Sequence, residues 1–337
     1  MGTIDQVSSS RRRGTFGEVS SPALTHMNRR HFSKLIGLSA VAAIGSRQFR
    51  ASQPAPQISI TMDDFNYGNA VYQSAAERNK SILGVLQAHS LKAGLFVIGH
   101  NAESDEGQRL LTEWSRASHL IGNHTYSHWN LNAPSTTLPA YTEDILRADG
   151  VLKDVKGFQK YFRFPMLKEG DTAAKRDGVR SFLDHLNYRI GHVTIDTSDW
   201  LISSRLSDRL KEQPRADQKP FRDYYLAHMW DRAQYYNSLG RTLLGRPVKH
   251  TILVHYNLLN GLFLDDLIKM FQSKGWQWID AEEAFSDPVF SAKPKVLPAG
   301  ESILWALAKA NGKLDSSLKY PAEDGDVVAR EMKKLGL

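Results

Sequence analysis

Two groups of polar residues, far apart in the sequence, have the types and spacing of a metal-dependent hydrolase. Asp63 and Asp64 directly follow the apolar run Ile58–Met62, which has the length of a buried strand. His124 and His128 are four positions apart, a spacing that places two imidazoles on one face of a helical turn. Two histidines and one aspartate suit a divalent metal with open positions, and the second aspartate could move a proton. These residues predict metal-assisted hydrolysis.

Three further motifs occur downstream, each after a run of apolar or aromatic residues. They are Arg163–Pro165, Asp196–Trp200 and Leu253–His255. All five motifs lie at or just beyond the C-terminal end of a predicted strand. Barrels of alternating strands and helices build their active sites from the loops at those ends. The motifs are therefore expected to converge on one site.

Strand-like segments alternate with helix-like segments along the chain, which is typical of a parallel sheet or an α/β barrel. The predicted strands are Ile58–Met62, Gly94–Ile98, His119–Gly122, Tyr161–Phe164, His192–Thr197, Thr251–His255 and Trp276–Ile279. The predicted helices are Ser74–His89, Gly107–Ala117, Tyr141–Val155, Ala173–Leu186 and Leu264–Lys274.

The five motifs, in this order, resemble those of the polysaccharide deacetylases of carbohydrate esterase family 4. The resemblance covers roughly residues 57–285 and implies a catalytic domain with an α/β fold, the irregular (β/α)7 barrel of the NodB-homology type. Residues 205–248 are expected to form a helical insertion whose aromatic residues either pack on the barrel or line a sugar groove. Residues 286–337 are expected to form a C-terminal extension packed on the barrel, because fifty residues make a marginal independent domain.

The resemblance assigns the metal site and the base. It makes Asp64, His124 and His128 the ligands of one divalent metal, with Zn²⁺ expected first and Co²⁺ or Ni²⁺ as alternatives. Asp63 is then the general base. Arg163 is expected to hold the Asp63 carboxylate through the two-pronged contact that a guanidinium makes and a lysine cannot.

The resemblance also assigns the acid. His255 is expected to protonate the leaving amine, for which a neighbouring carboxylate must favour the charged imidazolium. Asp199 is the preferred partner for His255 and Asp196 is the alternative, since both come from one turn.

Four residues are expected to contact substrate. Trp200 and Leu253 would line the pocket for the acetyl methyl group. After Pro165, the backbone N–H of Met166 could help to stabilise the oxyanion. The chain departs from the usual family pattern at positions around these motifs, namely Met62, Phe65, Trp129 and Met166. These departures remove no catalytic group but alter the groove.

The predicted substrate is an acetylated glycan, first of all one with N-acetylglucosamine units. An acetylxylan-type O-deacetylase and a non-catalytic carbohydrate-binding barrel are the alternatives. A phosphoesterase using the same metal ligands would need basic residues around the metal. The motifs supply only Arg163, which disfavours that activity.

The charge of the chain argues against nucleic acid as a partner. The 337 residues carry a net charge of +7, but eight of the 43 lysines and arginines lie within residues 1–50 beside only two carboxylates. The rest of the chain is nearly neutral and has no basic surface for a phosphate backbone.

The basic N-terminal segment predicts export. Residues 1–56 are expected to be a leader and linker, with a twin-arginine-type signal around residues 27–46. Arg29 and Arg30 precede the apolar run Leu35–Ile44, which is too short for a stable membrane span. Met27 could be the true start. The expected location is periplasmic or extracellular, and the sequence leaves the oligomeric state open.

Overall fold

The computed structural model describes residues 54–312, 318–319 and 325–337. The leader signal predicted around residues 27–46 lies outside these residues. The strands are β1 (Gln57–Asp63), β2 (Gly94–Val97), β3 (Leu120–Asn123), β4 (Phe158–Phe162), β5 (Lys168–Gly170), β6 (Arg189–Ile190), β7 (Lys249–His255), β8 (Gln277–Trp278) and β9 (Ala299–Gly300).

The helices lie between and after these strands. They are α1 (Ala75–Ala88), α2 (Gly99–Ala102), α3 (Asp105–Arg116), α4 (Leu138–Leu152), α5 (Ala173–His185), α6 (Asp199–Glu212), α7 (Lys219–Leu244), α8 (Leu258–Ser273), α9 (Ala281–Ala284), α10 (Ile303–Asn311) and α11 (Gly325–Lys334). None of the helices in the described ranges has the length and apolar character needed to cross a membrane.

One parallel sheet organises the fold. Six strands follow the order β6-β4-β3-β2-β1-β7, and β8 pairs with the beginning of β1. Strand β1 pairs with β7 along its whole length, so that Asp63 lies opposite His255. The predicted α/β class with a parallel, barrel-type sheet is confirmed. The antiparallel pair β5–β9 stands apart from this sheet.

The segment predicted as the strand His192–Thr197 is the main departure from the expected barrel. Residues Arg189–Ile190 pair with β4, and beyond them only Ile195 bridges to Ile252 of β7. The hydroxyl of Thr194 receives the N–H of Thr251 at 2.8 Å and donates to its carbonyl at 3.0 Å. The Ile195 N–H donates to the Thr251 carbonyl and the Leu253 N–H to the Ile195 carbonyl, both at 3.0 Å, so the segment is joined to β7 by a short bridge supported by side-chain hydrogen bonds and not by a full strand ladder.

The predicted helices are present, with ends shifted by a few residues. Helix α1 begins after Ser74, which forms a capping box with Glu77, as the sequence pattern of such helix starts requires. Residues 205–248 are mostly helical, in α6 and α7. The aromatic side chains of α7 include Phe221, Tyr225 and Tyr236, which are fully buried in the core and pack there. Helix α10 packs on α7, and α11 packs on α6.

Candidate active site

The two adjacent carboxylates stand at the C-terminal end of β1. Asp63 is the last residue of the strand and is buried. Asp64 adopts a left-handed backbone conformation with φ 61°, which aspartate tolerates better than most residues. In a regular strand these two neighbours would point to opposite faces, but this turn brings both carboxylates to the same side. His124 Nε2 lies 3.7 Å from Asp63 Oδ2 and 3.4 Å from Asp64 Oδ1.

The prediction that His124 and His128 share a helical turn is wrong. Both lie in an irregular loop after β3, in which Thr125 has φ 60° and His128 has φ 57°. The Thr125 hydroxyl accepts the His128 N–H at 2.9 Å. Two left-handed residues bend the loop back on itself, and the imidazole centroids come within 5.0 Å without a helix.

Two buried residues that the sequence analysis did not single out hold this loop. Asn123 accepts the Thr125 N–H at 2.8 Å. Asp144, on α4, accepts the N–H groups of Tyr126 and Ser127 at 3.0 and 2.9 Å. A carboxylate within a helical sequence gives no signal of such a role, because the contact is made only in the folded chain.

The cluster of Asp64, His124 and His128 fits a divalent cation. Their ligand atoms all lie within 4.8 Å of one another, and His128 Nε2 is 3.1 Å from Asp64 Oδ1. His124 Nδ1 donates to the Arg163 carbonyl at 2.8 Å, so Nε2 presents its lone pair to the cluster. His124 Nε2 and Asp64 Oδ1 are buried without a hydrogen-bond partner in the described chain. Two orphaned acceptors facing each other are the arrangement that a cation would satisfy.

The charges of the cluster also match a cation site. Burial alone would raise the pKa of Asp64, but contacts with His124 and His128 hold that pKa well below its usual value. Burial alone would lower the pKa of His128, whereas its contact with Asp64 raises it above the ordinary value. Asp64 is therefore ionised near neutral pH, as a metal ligand must be.

Arg163 lies one residue beyond β4 and holds Asp63. Its Nη1 contacts both carboxylate oxygens of Asp63, at 3.0 and 3.2 Å. Nη2 reaches the Thr61 hydroxyl at 3.2 Å, and Nε donates to the Gly191 carbonyl. The expected two-pronged contact with Asp63 is thus replaced by a contact through one nitrogen, because the other guanidinium nitrogens serve different acceptors.

The Arg163 side chain is almost completely buried. The guanidinium carbon lies 4.2 Å from the centroid of the Phe96 ring, in cation–π geometry. Burial lowers the pKa of Arg163, and the negative charges of Asp63 and Asp196 oppose that effect. Asp196, the alternative partner of His255, thus acts on this arginine.

His255 ends β7 and is paired with Asp199. Its Nδ1 lies 2.7 Å from Asp199 Oδ1, and its backbone N–H donates to Asp199 Oδ2 at 2.9 Å. Burial alone would raise the pKa of Asp199, but the charge of His255 and the hydrogen bonds it receives lower that pKa. Asp199 stays ionised near neutral pH, so His255 Nδ1 carries the proton of this hydrogen bond.

Two asparagines at the start of α8 complete the surroundings of Asp199. Asn257 Nδ2 and Asn260 Nδ2 donate to Asp199 Oδ2 at 3.0 and 2.7 Å. The Asp199 carboxylate is fully buried, and His255 forms an ion pair with it when the imidazole is protonated. Neither asparagine belongs to the sequence motifs, and Asn257 also caps the N-terminus of α8 through its side chain.

A cavity of about 310 Å³ lies over these groups. Its walls are formed by Asp63, Asp64, His124, His128, Met166, Trp200 and His255. Met166 is held by a short helical turn at Pro165–Leu167 and has φ 53°. Trp200, which is 36% exposed, follows Asp199.

Leu253 and Pro165 lie behind this surface. Leu253 is buried against Leu167 and Val193 and does not reach the cavity, although the sequence predicted it in the acetyl pocket. As an inward residue of β7 two positions before His255, it forms the floor beneath the site. Pro165 is also buried and is not among the lining residues.

A second cavity, of about 330 Å³, adjoins the first and shares Asp64, Trp200 and His255 with it. Its remaining walls are largely amide and hydroxyl side chains, and they include Asn66, Asn69, Ser203, Ser204, Ser207 and Asn257. Tyr67, Tyr72 and Trp129, which are exposed, lie in the same loops as the site residues.

Comparison with known proteins supports the resemblance seen in the motifs. Residues 50–182 match the family model described as polysaccharide deacetylase. The chain is 30% identical over 125 residues to the peptidoglycan-N-acetylglucosamine deacetylase of Bacillus cereus, over 37% of this chain and 42% of that protein. It is 26% identical over 189 residues to the chitin deacetylase of Colletotrichum lindemuthianum, over 50% of this chain and 69% of that protein.

Solved structures give weaker similarities. A carbohydrate esterase family 4 pseudoenzyme from Bacillus anthracis has a TM-score of 0.48 and 18% identity, over 68% of this chain and 66% of that chain. A peptidoglycan N-acetylglucosamine deacetylase has a TM-score of 0.46 and 21% identity, over 68% and 88% of the two chains.

The matched range contains seven of the predicted site residues, namely Asp63, Asp64, His124, His128, Arg163, Pro165 and Met166. Asp199 and His255 lie beyond it. The chain spans less than half the length of the bacterial relative. Residues 50–182 are therefore similar to the polysaccharide deacetylase family, the family that the five motifs resemble.

Proposed function

We propose that this protein is a metal-dependent deacetylase that hydrolyses the N-acetyl groups of N-acetylglucosamine units in a glycan. The observation that carries the proposal is the cluster of Asp64, His124 and His128, with two buried acceptors unsatisfied, between the Arg163–Asp63 pair and the Asp199–His255 pair. A metal site flanked by a carboxylate and an imidazole has the groups that amide hydrolysis requires.

Asp64, His124 and His128 would hold the cation. Zn²⁺ suits two imidazoles and a carboxylate, and Co²⁺ or Ni²⁺ suit them as well. When bound, such an ion supplies Lewis acidity that polarises an acetyl carbonyl and lowers the pKa of water.

Asp63 is proposed as the general base. Its carboxylate lies beside the cluster, and Arg163 fixes it there at 3.0 and 3.2 Å. From this position it can take the proton of the attacking water.

His255 is proposed as the general acid. An amine cannot leave an acetyl carbon without a proton, and His255 lines the cavity beside Asp63, its register partner on the neighbouring strand. The Asp199 carboxylate stabilises the imidazolium that must be present before donation. The two proton-transfer groups thus lie at paired positions on adjacent strands, next to the metal-binding cluster.

Substrate contacts are proposed for Trp200 and Met166, which line the cavity. The Met166 N–H is proposed as a donor to the developing oxyanion. Leu253 and Pro165 would act from below, as the packed floor that supports this wall. Trp200, which lines both cavities, would cover the acetyl group with its indole.

The shape and composition of the two adjoining cavities support a glycan substrate. Two adjoining cavities, the second of which has mainly amide and hydroxyl walls, suit a chain of sugar units. Exposed aromatic side chains commonly mark a binding surface, and Tyr67, Tyr72 and Trp129 are exposed in the loops that follow Asp64 and His128. Both curated relatives are named for polymers that contain N-acetylglucosamine, which favours this sugar over acetylxylan.

Acetate release from a panel of glycans tests the proposal. N-acetylglucosamine oligomers, peptidoglycan and acetylxylan would each be incubated with the purified protein, with and without a chelator. We expect chelator-sensitive acetate release from the first two. Release from acetylxylan alone would indicate O-deacetylation, and tight glycan binding without acetate release would indicate a carbohydrate-binding barrel.

Export is proposed from the N-terminal sequence alone. The segment around residues 27–46 would direct the folded protein through the twin-arginine route. Replacing Arg29 and Arg30 with lysine should leave the protein in the cytoplasm, as followed by cell fractionation. Unchanged export of that variant would contradict the proposal.

A further inference from the structure

Helix α7 lies in the insertion. It places two buried polar side chains next to residues that contact or precede Asp199, the partner of His255. Tyr225 is fully buried and His228 is nearly so. Neither lines the two cavities, and neither belongs to the five motifs. Burying a phenol and an imidazole is costly unless their polar atoms are used, so their partners indicate their purpose.

Tyr225 determines how Asn260 presents its amide. The Tyr225 hydroxyl donates to Asn260 Oδ1 at 2.6 Å. The amide nitrogen therefore faces the other way, where it donates to Asp199 Oδ2 at 2.7 Å and to the His255 carbonyl at 2.9 Å. With the amide reversed, its oxygen would face the Asp199 carboxylate. The tyrosine hydroxyl stabilises the productive orientation.

His228 fixes the start of the turn that carries Asp199. Its Nε2 accepts the backbone N–H of Ser198 at 3.1 Å. Burial lowers the pKa of His228 to about 3, so the ring is neutral and can accept this bond. The Ser198 side chain makes no capping hydrogen bond to α6, and the imidazole thus supplies a fixed contact at the residue before Asp199.

Together these contacts fix the orientation of the Asp199 carboxylate. Its Oδ2 receives three donors, from the His255 N–H, Asn257 and Asn260, and only Oδ1 meets the imidazole of His255. We propose that α7 is a positioning element for the general acid, acting through Tyr225 on the Asp199 carboxylate and through His228 on the Asp199 backbone. The proposal rests on the proposed function of His255 as the acid.

The substitution Tyr225→Phe removes one hydroxyl and keeps the ring. The loss of one buried hydrogen bond corresponds to a change in rate on the order of tenfold. We expect kcat on an N-acetylglucosamine oligomer to fall about tenfold more than kcat on an aryl acetate, whose leaving group needs no proton. The matched control is Tyr224→Phe, the next tyrosine of α7, whose hydroxyl contacts Glu331 instead. The control should keep the wild-type ratio of the two rates.

His228 offers a second test with a conservative rescue. Glutamine can place an acceptor oxygen near the position of Nε2, whereas leucine cannot accept a hydrogen bond. His228→Leu should lower the ratio of amide to aryl acetate turnover, and His228→Gln should restore most of it. Equal losses on both substrates in Tyr225→Phe and His228→Leu would overturn the proposal and indicate a purely structural helix.

A spectroscopic measurement separates this proposal from the proposed function. The Nδ1–H of His255, bonded to Asp199 at 2.7 Å, should give a strongly downfield proton resonance in the NMR spectrum. That resonance should move or broaden in Tyr225→Phe and stay in place in Tyr224→Phe, with matched circular dichroism confirming the fold. An unchanged resonance in Tyr225→Phe would overturn the positioning role. A shifted resonance in a protein that releases no acetate would instead refute only the proposed function.

Discussion

Replacing Arg163 with lysine tests whether one buried guanidinium organises the base. A lysine would keep the positive charge but could place only one nitrogen among three acceptors that lie in different directions. These acceptors are the Asp63 carboxylate, the Thr61 hydroxyl and the Gly191 carbonyl. Thr61 keeps its own bond to the Ile252 carbonyl at 3.0 Å, so the Gly191 carbonyl is the group left unsatisfied.

The size of the effect follows from these contacts. An unsatisfied buried carbonyl costs about 1–3 kcal/mol. Loss of the desolvated cation–π contact with Phe96 costs up to about 2 kcal/mol more. Arg163→Lys should therefore lower the free energy of unfolding by about 1–5 kcal/mol. If Asp63 then moves by about 1 Å, kcat should fall on the order of a hundredfold.

Chemical denaturation and acetate release measure the two effects. Arg180→Lys is a matched control, because Arg180 is equally buried and contacts Glu169 and the Pro294 carbonyl, away from the cavity. The control should lose stability but retain kcat. Comparable activity losses in both variants, or an Arg163→Lys protein with full activity and a stability loss under about 1 kcal/mol, would refute the role given to Arg163.

Three further predictions concern the metal, the base and the acid. His124→Ala should weaken divalent metal binding at least about a hundredfold by calorimetry, while the exposed His100→Ala should not; equal binding in both would remove His124 from the site. Asp63→Asn should keep the metal and lose a factor of about 10²–10⁴ in acetate release, and loss of metal would make Asp63 a ligand. Amide hydrolysis should fall at alkaline pH as His255 loses its proton, and Asp199→Asn should move that limb to lower pH, since a lost carboxylate disfavours the cation. An unmoved limb would contradict the pairing.

Sequence patterns predicted the strand ends because those patterns are local. The apolar runs before Asp63 and His255 end where β1 and β7 end. The patterns could not predict the register between β1 and β7 that places these two residues side by side, because register depends on both strands. The segment around Thr194 also has the pattern of a strand, but in the fold its pairing with β7 is limited to a single bridge at Ile195.

The histidine loop and the insertion show where spacing misleads. The interval from His124 to His128 fits a helix, but the left-handed Thr125 and His128 bring the rings together by a different path. The aromatic residues of α7 have the spacing of a packed helix, and most do pack in the core. Nothing local distinguishes Tyr225, whose hydroxyl matters only because α8 places Asn260 against it.

Acetate release from N-acetylglucosamine oligomers by the purified protein, before and after metal removal, tests the proposed metal-dependent deacetylation most directly. We predict release that stops when a chelator removes the ion and returns when Zn²⁺ is added back at one equivalent per chain. The His124→Ala/His128→Ala protein should show no such recovery. Undiminished release from metal-free protein, or recovery in the double variant equal to that of the wild type, would contradict the assignment of Asp64, His124 and His128 as the metal site.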